Sequence, residues 1–213
     1  MKKTAARKNK RTLLPEPAPL LIIISGPSGA GKDATLSKMK HLGYNIHYVV
    51  TVTTRPKREG EIDRVHYRFI SDEQFQRMVK SKKFLEWAKV YGYYYGVPKD
   101  DVKKALAKGQ DVIIKVDVQG ATTIKRIVPE AIFIFVTPPT LDELATRLKL
   151  RNNHHSERDL KIRMDTAKAE MDCLSLFDYC VINCHNNIGQ TAAKINAIIQ
   201  AEKCRVNPRL IEL

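Results

Sequence analysis

The chain has 213 residues, of which 37 are Lys or Arg and 23 are Asp or Glu, giving a formal net charge of +14. With 43% apolar and 28% charged residues it can bury the core of one α/β domain, which argues against a disordered, collagen-like or membrane-spanning chain. Apolar runs such as Leu20–Ile24 are far too short to cross a bilayer. Six basic residues (Lys2, Lys3, Arg7, Lys8, Lys10, Arg11) fall in the first twelve positions, leaving +8 on the rest. A basic surface attracts nucleic acid and membranes, but also nucleotides and other phosphates. Cys173, Cys180, Cys184 and Cys204 all lie in the last fifth of the chain. No apolar segment of the secretory kind follows the basic start, so free thiols in a reducing cytoplasm are expected. Cys180, Cys184 and His185 lack a second ligand pair at zinc spacing, and no metal site is expected there.

Residues 1–19 read as a mobile basic and Pro-rich tail, since three prolines in five residues forbid helix. Leu20–Ser25 is a β-branched run of the kind found in buried parallel strands. A glycine-rich turn follows, then a helix over Asp33–His41. Ile46–Val52 alternates as a second strand, Thr53–Arg64 is polar loop, and Val65–Ile70 is a short strand. Ser71 caps a helix from Asp72 to about Lys80. Phe84–Tyr91 and Tyr93–Val97 form an antiparallel pair around Gly92, and Pro98 opens a helix that ends near Gly109. Asp111–Asp117 and Ala131–Val136 are further buried strands. Helices are expected near 119–127, 140–150 and 157–172, a last strand over Tyr179–Asn183 and a last helix over Gly189–Lys203. Alternating buried strands and helices predict a parallel sheet covered on both faces, with ligands beyond the carboxyl ends of the strands.

Directly after the first strand comes Gly26-Pro27-Ser28-Gly29-Ala30-Gly31-Lys32, then Asp33 and Ala34 at the start of a helix. The pattern G-x-x-x-x-G-K between strand and helix is a phosphate loop. Its glycines let backbone N–H groups converge on one phosphate, the helix adds its positive end, and Lys32 brings a full charge to the β- and γ-phosphates. The next position usually carries a Ser or Thr hydroxyl for Mg²⁺, but here it is Asp33, a harder and more negative donor. Asp33 is expected to act through the metal, directly or via water, because an uncompensated carboxylate would repel a triphosphate.

The acceptor is signalled by Thr51-Val-Thr-Thr-Arg55-Pro-Lys-Arg58-Glu-Gly-Glu61, Tyr67, Phe84-Leu-Glu86-Trp87 and Tyr94-Tyr95-Gly96. Two arginines three apart can fork one phosphate, and tyrosine hydroxyls can add donors. Asp117, at the carboxyl end of a buried strand, suits a Mg²⁺-bound water or an orienting arginine. Arg147 and Arg151 are four apart, hence on one helix face, and Arg163 lies on the next helix. His154 and His155 between those helices read as a polar loop tip.

These blocks, with Val116-Asp-Val-Gln-Gly120 and the Pro138-Pro139 turn, occur in the order and spacing of the guanylate kinases, which the chain resembles from about Leu21 to Lys203. The resemblance implies a P-loop nucleoside monophosphate kinase fold. The core would be 20–50, 98–138 and 175–205, the inserted α+β GMP-binding lobe 51–97, and the helical lid about 139–165. It implies ATP on the phosphate loop, Mg²⁺ as cofactor, and transfer of the γ-phosphoryl group to GMP. Arg55, Arg58, Tyr67 and Tyr95 would hold the GMP phosphate, with Glu61 bracing the arginines. Thr51 would touch the base and Glu86 would accept from guanine N1–H and the 2-amino group, a pair adenine does not offer. Asp117 would serve both the acceptor site and catalysis. Lys32, Arg55, Arg147, Arg151 and Arg163 would supply charge to the transition state. The chain departs from the family pattern at Val97 (usually Ser or Thr), Lys115 (usually acidic) and Cys184 (usually Asp).

Three rival readings remain open at this level. Ribose 1,5-bisphosphate phosphokinases often carry Asp after the loop lysine, but they do not need the Phe84–Trp87 or Asp117–Gly120 blocks. A non-catalytic guanylate-kinase-like binding module typically degrades the phosphate loop, which here is intact. A nucleic-acid binder driven by the tail explains the charge but not the motif order.

Overall fold

The computed structural model describes residues 17–151 and 157–213. Its main sheet has five parallel strands in the order β2-β7-β1-β8-β9. These are β1 (Leu21–Ser25), β2 (Ile46–Tyr48), β7 (Asp111–Lys115), β8 (Ile132–Thr137) and β9 (Tyr179–Ile182). Because side chains alternate across a strand, β1 feeds both faces of the sheet. Ile22 and Ile24 join Ile113, Ile132 and Ile134 on one face, beneath Leu36 and Met39 of α1 (Lys32–His41) and Ile195 and Ile199 of α7 (Ile188–Lys203). Leu21 and Ile23 join Val112, Ile114 and Phe133 on the other, beneath Val102 of α3 (Lys99–Ala107) and Ile124 of α4 (Val118–Ile127). Burial on both faces is why β1 reads as an uninterrupted apolar run rather than an alternating one.

The second sheet, ordered β4-β3-β6-β5, is built from β3 (Val52–Thr53), β4 (Arg68–Phe69), β5 (Phe84–Val90) and β6 (Tyr93–Pro98). Its own small core is Val52, Phe75 and Phe84, with Phe75 supplied by α2 (Asp72–Lys80). That helix starts where the sequence placed it. The Ser71 hydroxyl accepts from the Gln74 N–H at 3.2 Å, and the Gln74 side chain accepts from the Ser71 N–H, closing a capping box. Helices α5 (Leu141–Arg151) and α6 (Glu157–Asp172) pack on each other through Leu144, Leu148 and Ala167. Their Arg163 reaches back to the β5–β6 hairpin, its guanidinium 5.1 Å from the Tyr91 ring centre.

Three expectations are corrected. Ile46–Val52 is not one strand: Ile46–Tyr48 pairs with β7 in the main sheet, while Val52–Thr53 pairs with β6 and β4 in the small one. The chain changes sheets between them. The strand expected over Val65–Ile70 contracts to Arg68–Phe69, because the N–H groups of Val65 and His66 turn back onto the Ile62 carbonyl. Asp117 does not end β7. It is the N-cap of α4, its carboxylate accepting from the Gly120 N–H at 2.8 Å. The histidines 154 and 155 and residues 1–16 of the expected tail lie outside the described residues. No helix among the described residues is long and apolar enough to cross a membrane.

Candidate active site

The loop between β1 and α1 runs beneath the carboxyl ends of β1, β7 and β8, where an open parallel sheet places its ligands. Gly26 shows how tightly it is seated. Its φ is +133°, and a Cβ there would lie 2.0 Å from the backbone oxygen of Val136. Only a residue without a side chain fits between the loop and β8. Lys32 folds its ammonium over the loop, donating to the Gly26 carbonyl and, at 3.0 Å, to that of Pro27. Burial lowers its pKa to about 8, partly offset by Glu170, Asp33 and Asp117 around it. The loop thus seats one buried ammonium among its own carbonyls, with three carboxyl groups nearby.

The small sheet supplies a second cluster. Arg55 is buried and donates to Glu61 and to the Pro56 carbonyl, both at 2.6 Å. Its guanidinium lies 5.5 Å from the Tyr67 ring centre and 5.7 Å from that of Phe69. The other Glu61 oxygen accepts from the Arg58 N–H at 2.8 Å, so one carboxylate organises both arginine positions. Arg58 itself is at the exposed rim. Tyr67 and Tyr95 meet edge to face at 6.1 Å. Thr51 is buried beside them at the start of β3.

Glu86 lies on β5, 5% exposed, and burial raises its pKa to about 8, with the Asp117 carboxylate adding to the shift. It rests on Gly120 of α4: a Cβ at Gly120 would come within 2.8 Å of Glu86 Oε1 and 3.1 Å of Asp117 Oδ1. This yields a prediction. Gly120→Ala displaces the Glu86 carboxylate from its floor, and ~1 Å of misplacement is worth about 10- to 100-fold. We expect the KM for the base-bearing acceptor to rise by about that factor while the KM for ATP stays within about 2-fold, read from initial rates with each substrate varied in turn. Val97, opposite Glu86 across β6, is fully buried among core side chains such as Leu85.

Helix α5 contributes Arg147, which donates to the Asn183 carbonyl at 2.7 Å and the Ala30 carbonyl at 3.4 Å and pairs with Glu143. Arg147, Asn183, Cys184, His185 and Ile188 border a groove of ≈ 210 Å³ beside the loop. Arg151 closes α5, its side chain lying outside the described residues. Arg163 stays on Tyr91, at the hairpin rather than at the loop.

Sequence reasoning missed two residues. The Asn183 amide donates to the Ala30 carbonyl at 2.8 Å and ties the loop to β9. Glu170 is raised to about 7 by burial, against the pull of Lys32, and its Oε2 has no hydrogen-bond partner among the described residues. A signal for Glu170 existed: it lies seven residues after Arg163 and so on the same helix face.

Hard oxygen donors stand at the loop mouth, Asp33 above all. Among the described residues no three His, Cys, Asp or Glu side chains form a metal cage. A single carboxylate such as Asp33 is a hard oxygen donor of the kind Mg²⁺ takes when it keeps much of its water and draws further ligands from a nucleotide.

A family model described as guanylate kinase matches residues 19–202. The chain is 44% identical over 188 residues to the guanylate kinase of Caldanaerobacter subterraneus subsp. tengcongensis, covering 88% of this chain and 90% of that one. It is 40% identical over 202 residues to guanylate kinase 2, chloroplastic/mitochondrial, of Oryza sativa subsp. japonica, covering 94% and 70%. The crystal structure of guanylate kinase from Anaplasma phagocytophilum superposes with a TM-score of 0.72 at 28% identity, over 92% of this chain and 91% of that one. With that match over most of its length, beside the phosphate loop, the Arg55–Glu61 cluster and buried Glu86, the chain belongs to the guanylate kinase family.

Proposed function

We propose that the protein transfers the γ-phosphoryl group of ATP to GMP, and to dGMP, giving ADP and the nucleoside diphosphate, with Mg²⁺ as cofactor and in the cytoplasm. The observation that carries this reading is the pairing of two unlike seats, joined by Lys115, which contacts Asp33 after the loop and Tyr67 beside Arg55. One is the phosphate loop with its lysine; the other holds a buried guanidinium, Arg55, and a buried carboxyl, Glu86. ATP lies along Gly26–Ala34 with its γ-phosphate at Lys32, and its base in the groove bordered by Arg147 and Asn183. Mg²⁺ bound through Asp33, directly or by way of water, supplies neutralising charge to the triphosphate.

GMP enters the lobe of residues 51–97. Arg55, Arg58, Tyr67 and Tyr95 hold its phosphate and Glu61 braces them, while Thr51 and Glu86 meet its base. A site built on such hydrogen bonds rejects a base lacking the donors by ~10⁴-fold. One oxygen of the GMP phosphate then bonds to the γ-phosphorus as the β,γ-bridging bond breaks and ADP leaves. That oxygen is already anionic at neutral pH, so no protein base is required. The chemistry rests on orientation and charge, from Lys32 and, as the lid of about 139–165 closes, Arg147, Arg151 and Arg163. Asp117 orients the groups between the two seats. Exposed thiols at Cys180, Cys184 and Cys204 suit a reducing compartment.

The test is ADP release with Mg-ATP and, separately, GMP, AMP or ribose 1,5-bisphosphate. Turnover with GMP, at least ~10³-fold above AMP in kcat/KM, is the expected result. Turnover with ribose bisphosphate alone, or GMP binding without turnover, overturns it.

A further inference from the structure

Asp33 and Lys115 meet in space although 82 residues apart. Lys115 is the last residue of β7, its side chain only 14% exposed, and its ammonium forms an ion pair with Asp33. The same nitrogen donates to the Tyr67 hydroxyl at 2.7 Å and lies 4.3 Å from the Tyr67 ring centre. Tyr67 in turn is flanked by Arg55 and Tyr95. The ion pair and the tyrosine contacts together hold the Lys115 ammonium at the border of the two seats. An ammonium has three donors, and Asp33 and Tyr67 use two. A Ser or Thr at 33 with an acid at 115 would place one negative charge here; this chain places a balanced pair, so the border is more positive by one charge.

We propose that Lys115 is a third phosphate-binding cation of the acceptor site, contacting the phosphate of GMP with its remaining donor, and that Asp33 positions it. The inference rests on the reading of residues 51–97 as the GMP seat. It assigns Asp33 a second task beside any toward Mg²⁺: aiming the ammonium at the acceptor.

The test is calorimetric binding of GMP and of guanosine, which lacks the phosphate, to the wild-type chain and to Lys115→Met, Lys115→Arg and Asp33→Ser. Circular dichroism and melting temperature establish that each variant is folded. A charge-assisted phosphate contact is worth ~10- to 100-fold in affinity. Lys115→Met is expected to lose that factor for GMP and less than about 2-fold for guanosine. Lys115→Arg should recover most of the loss, and Asp33→Ser, with the ammonium no longer aimed, should lose ~3- to 10-fold for GMP only. An unchanged GMP affinity in Lys115→Met overturns the inference, as does an equal loss for GMP and guanosine, which would mark a structural role. Should Lys115→Met not fold, Lys115→Gln takes its place, and an unchanged GMP affinity there overturns the inference equally. Failure of the wild-type chain to bind GMP would instead overturn the underlying reading, before any variant is compared.

Discussion

Glu86→Gln makes the ligand-free protein more heat-stable at alkaline pH and at the same time abolishes its use of GMP. Both effects come from one buried carboxyl. The fold holds the Glu86 pKa at about 8, through burial and then through Asp117, whereas an unfolded chain would hold it near its ordinary value of 4.5. Between those values the native state binds the extra proton, so stability falls as pH rises through the window and the cost is complete above pH 8. Gln carries no charge at any pH and escapes this cost. If ~2 kcal/mol of it survives relaxation, the melting temperature of the variant exceeds that of the wild type by about 4–8 °C near pH 9, with little difference near pH 5. Meanwhile the amide offers one acceptor where guanine needs two, and its NH₂ opposes a guanine donor, so kcat/KM for GMP falls by ~10³-fold or more. In the wild type, GMP binding needs the ionised carboxylate. Affinity should therefore climb as pH rises toward 8 and release a proton on binding, a dependence absent from the variant. Thermal melts at two pH values and calorimetry in buffers of different ionisation enthalpy check each part. Equal melting curves at high pH would contradict the buried-carboxyl argument.

Lys32→Met lowers kcat by ~10³-fold while GMP affinity stays within about 3-fold. The Lys32 ammonium donates to the carbonyls of Gly26 and Pro27, which places it over the loop. Methionine follows the lysine stem as far as its ε-carbon, so the loop keeps most of its packing while losing the charge proposed to meet the γ-phosphate. The proposed seat of GMP, with Arg55, Glu61 and Glu86, shares no hydrogen bond with Lys32 among the described residues. Rapid-quench single turnovers with both substrates saturating isolate the chemical step. A variant slowed only in ATP binding, with normal single-turnover chemistry, would show that Lys32 serves the ground state alone.

The phosphate loop was legible because its information is contiguous: seven residues, a strand before and a helix after. The helix start at Ser71 was legible for the same reason. Where the partner decides, the sequence was ambiguous. Ile46–Val52 has the alternation of a single strand, and nothing local says that Tyr48 will pair with Ile113 while Val52 pairs with Gly96. The acceptor residues emerged only from the resemblance, since two arginines in a polar loop are equally consistent with a solvated surface. Glu170 escaped because a helix face shows which residues travel together, not what they meet. Lys115 was visible as a departure, but its ion pair with Asp33 is made by the parallel stacking of β7 beside β1 and could not be read from either position.

The floor beneath Glu86 bears on how portable base selection is. Glu86 belongs to the small sheet, yet the carboxylate lies against Gly120 and is tuned by Asp117, both of which belong to the core. Residues 51–97 are therefore not an exchangeable reading head. Transplanted onto another kinase core they would carry the Arg55–Glu61 anion seat with them, since its bonds are internal. They would arrive with a glutamate that has lost both the surface it rests on and the neighbour that shifts it. Such a chimera would still grip a nucleotide by its phosphate and be indifferent to the base.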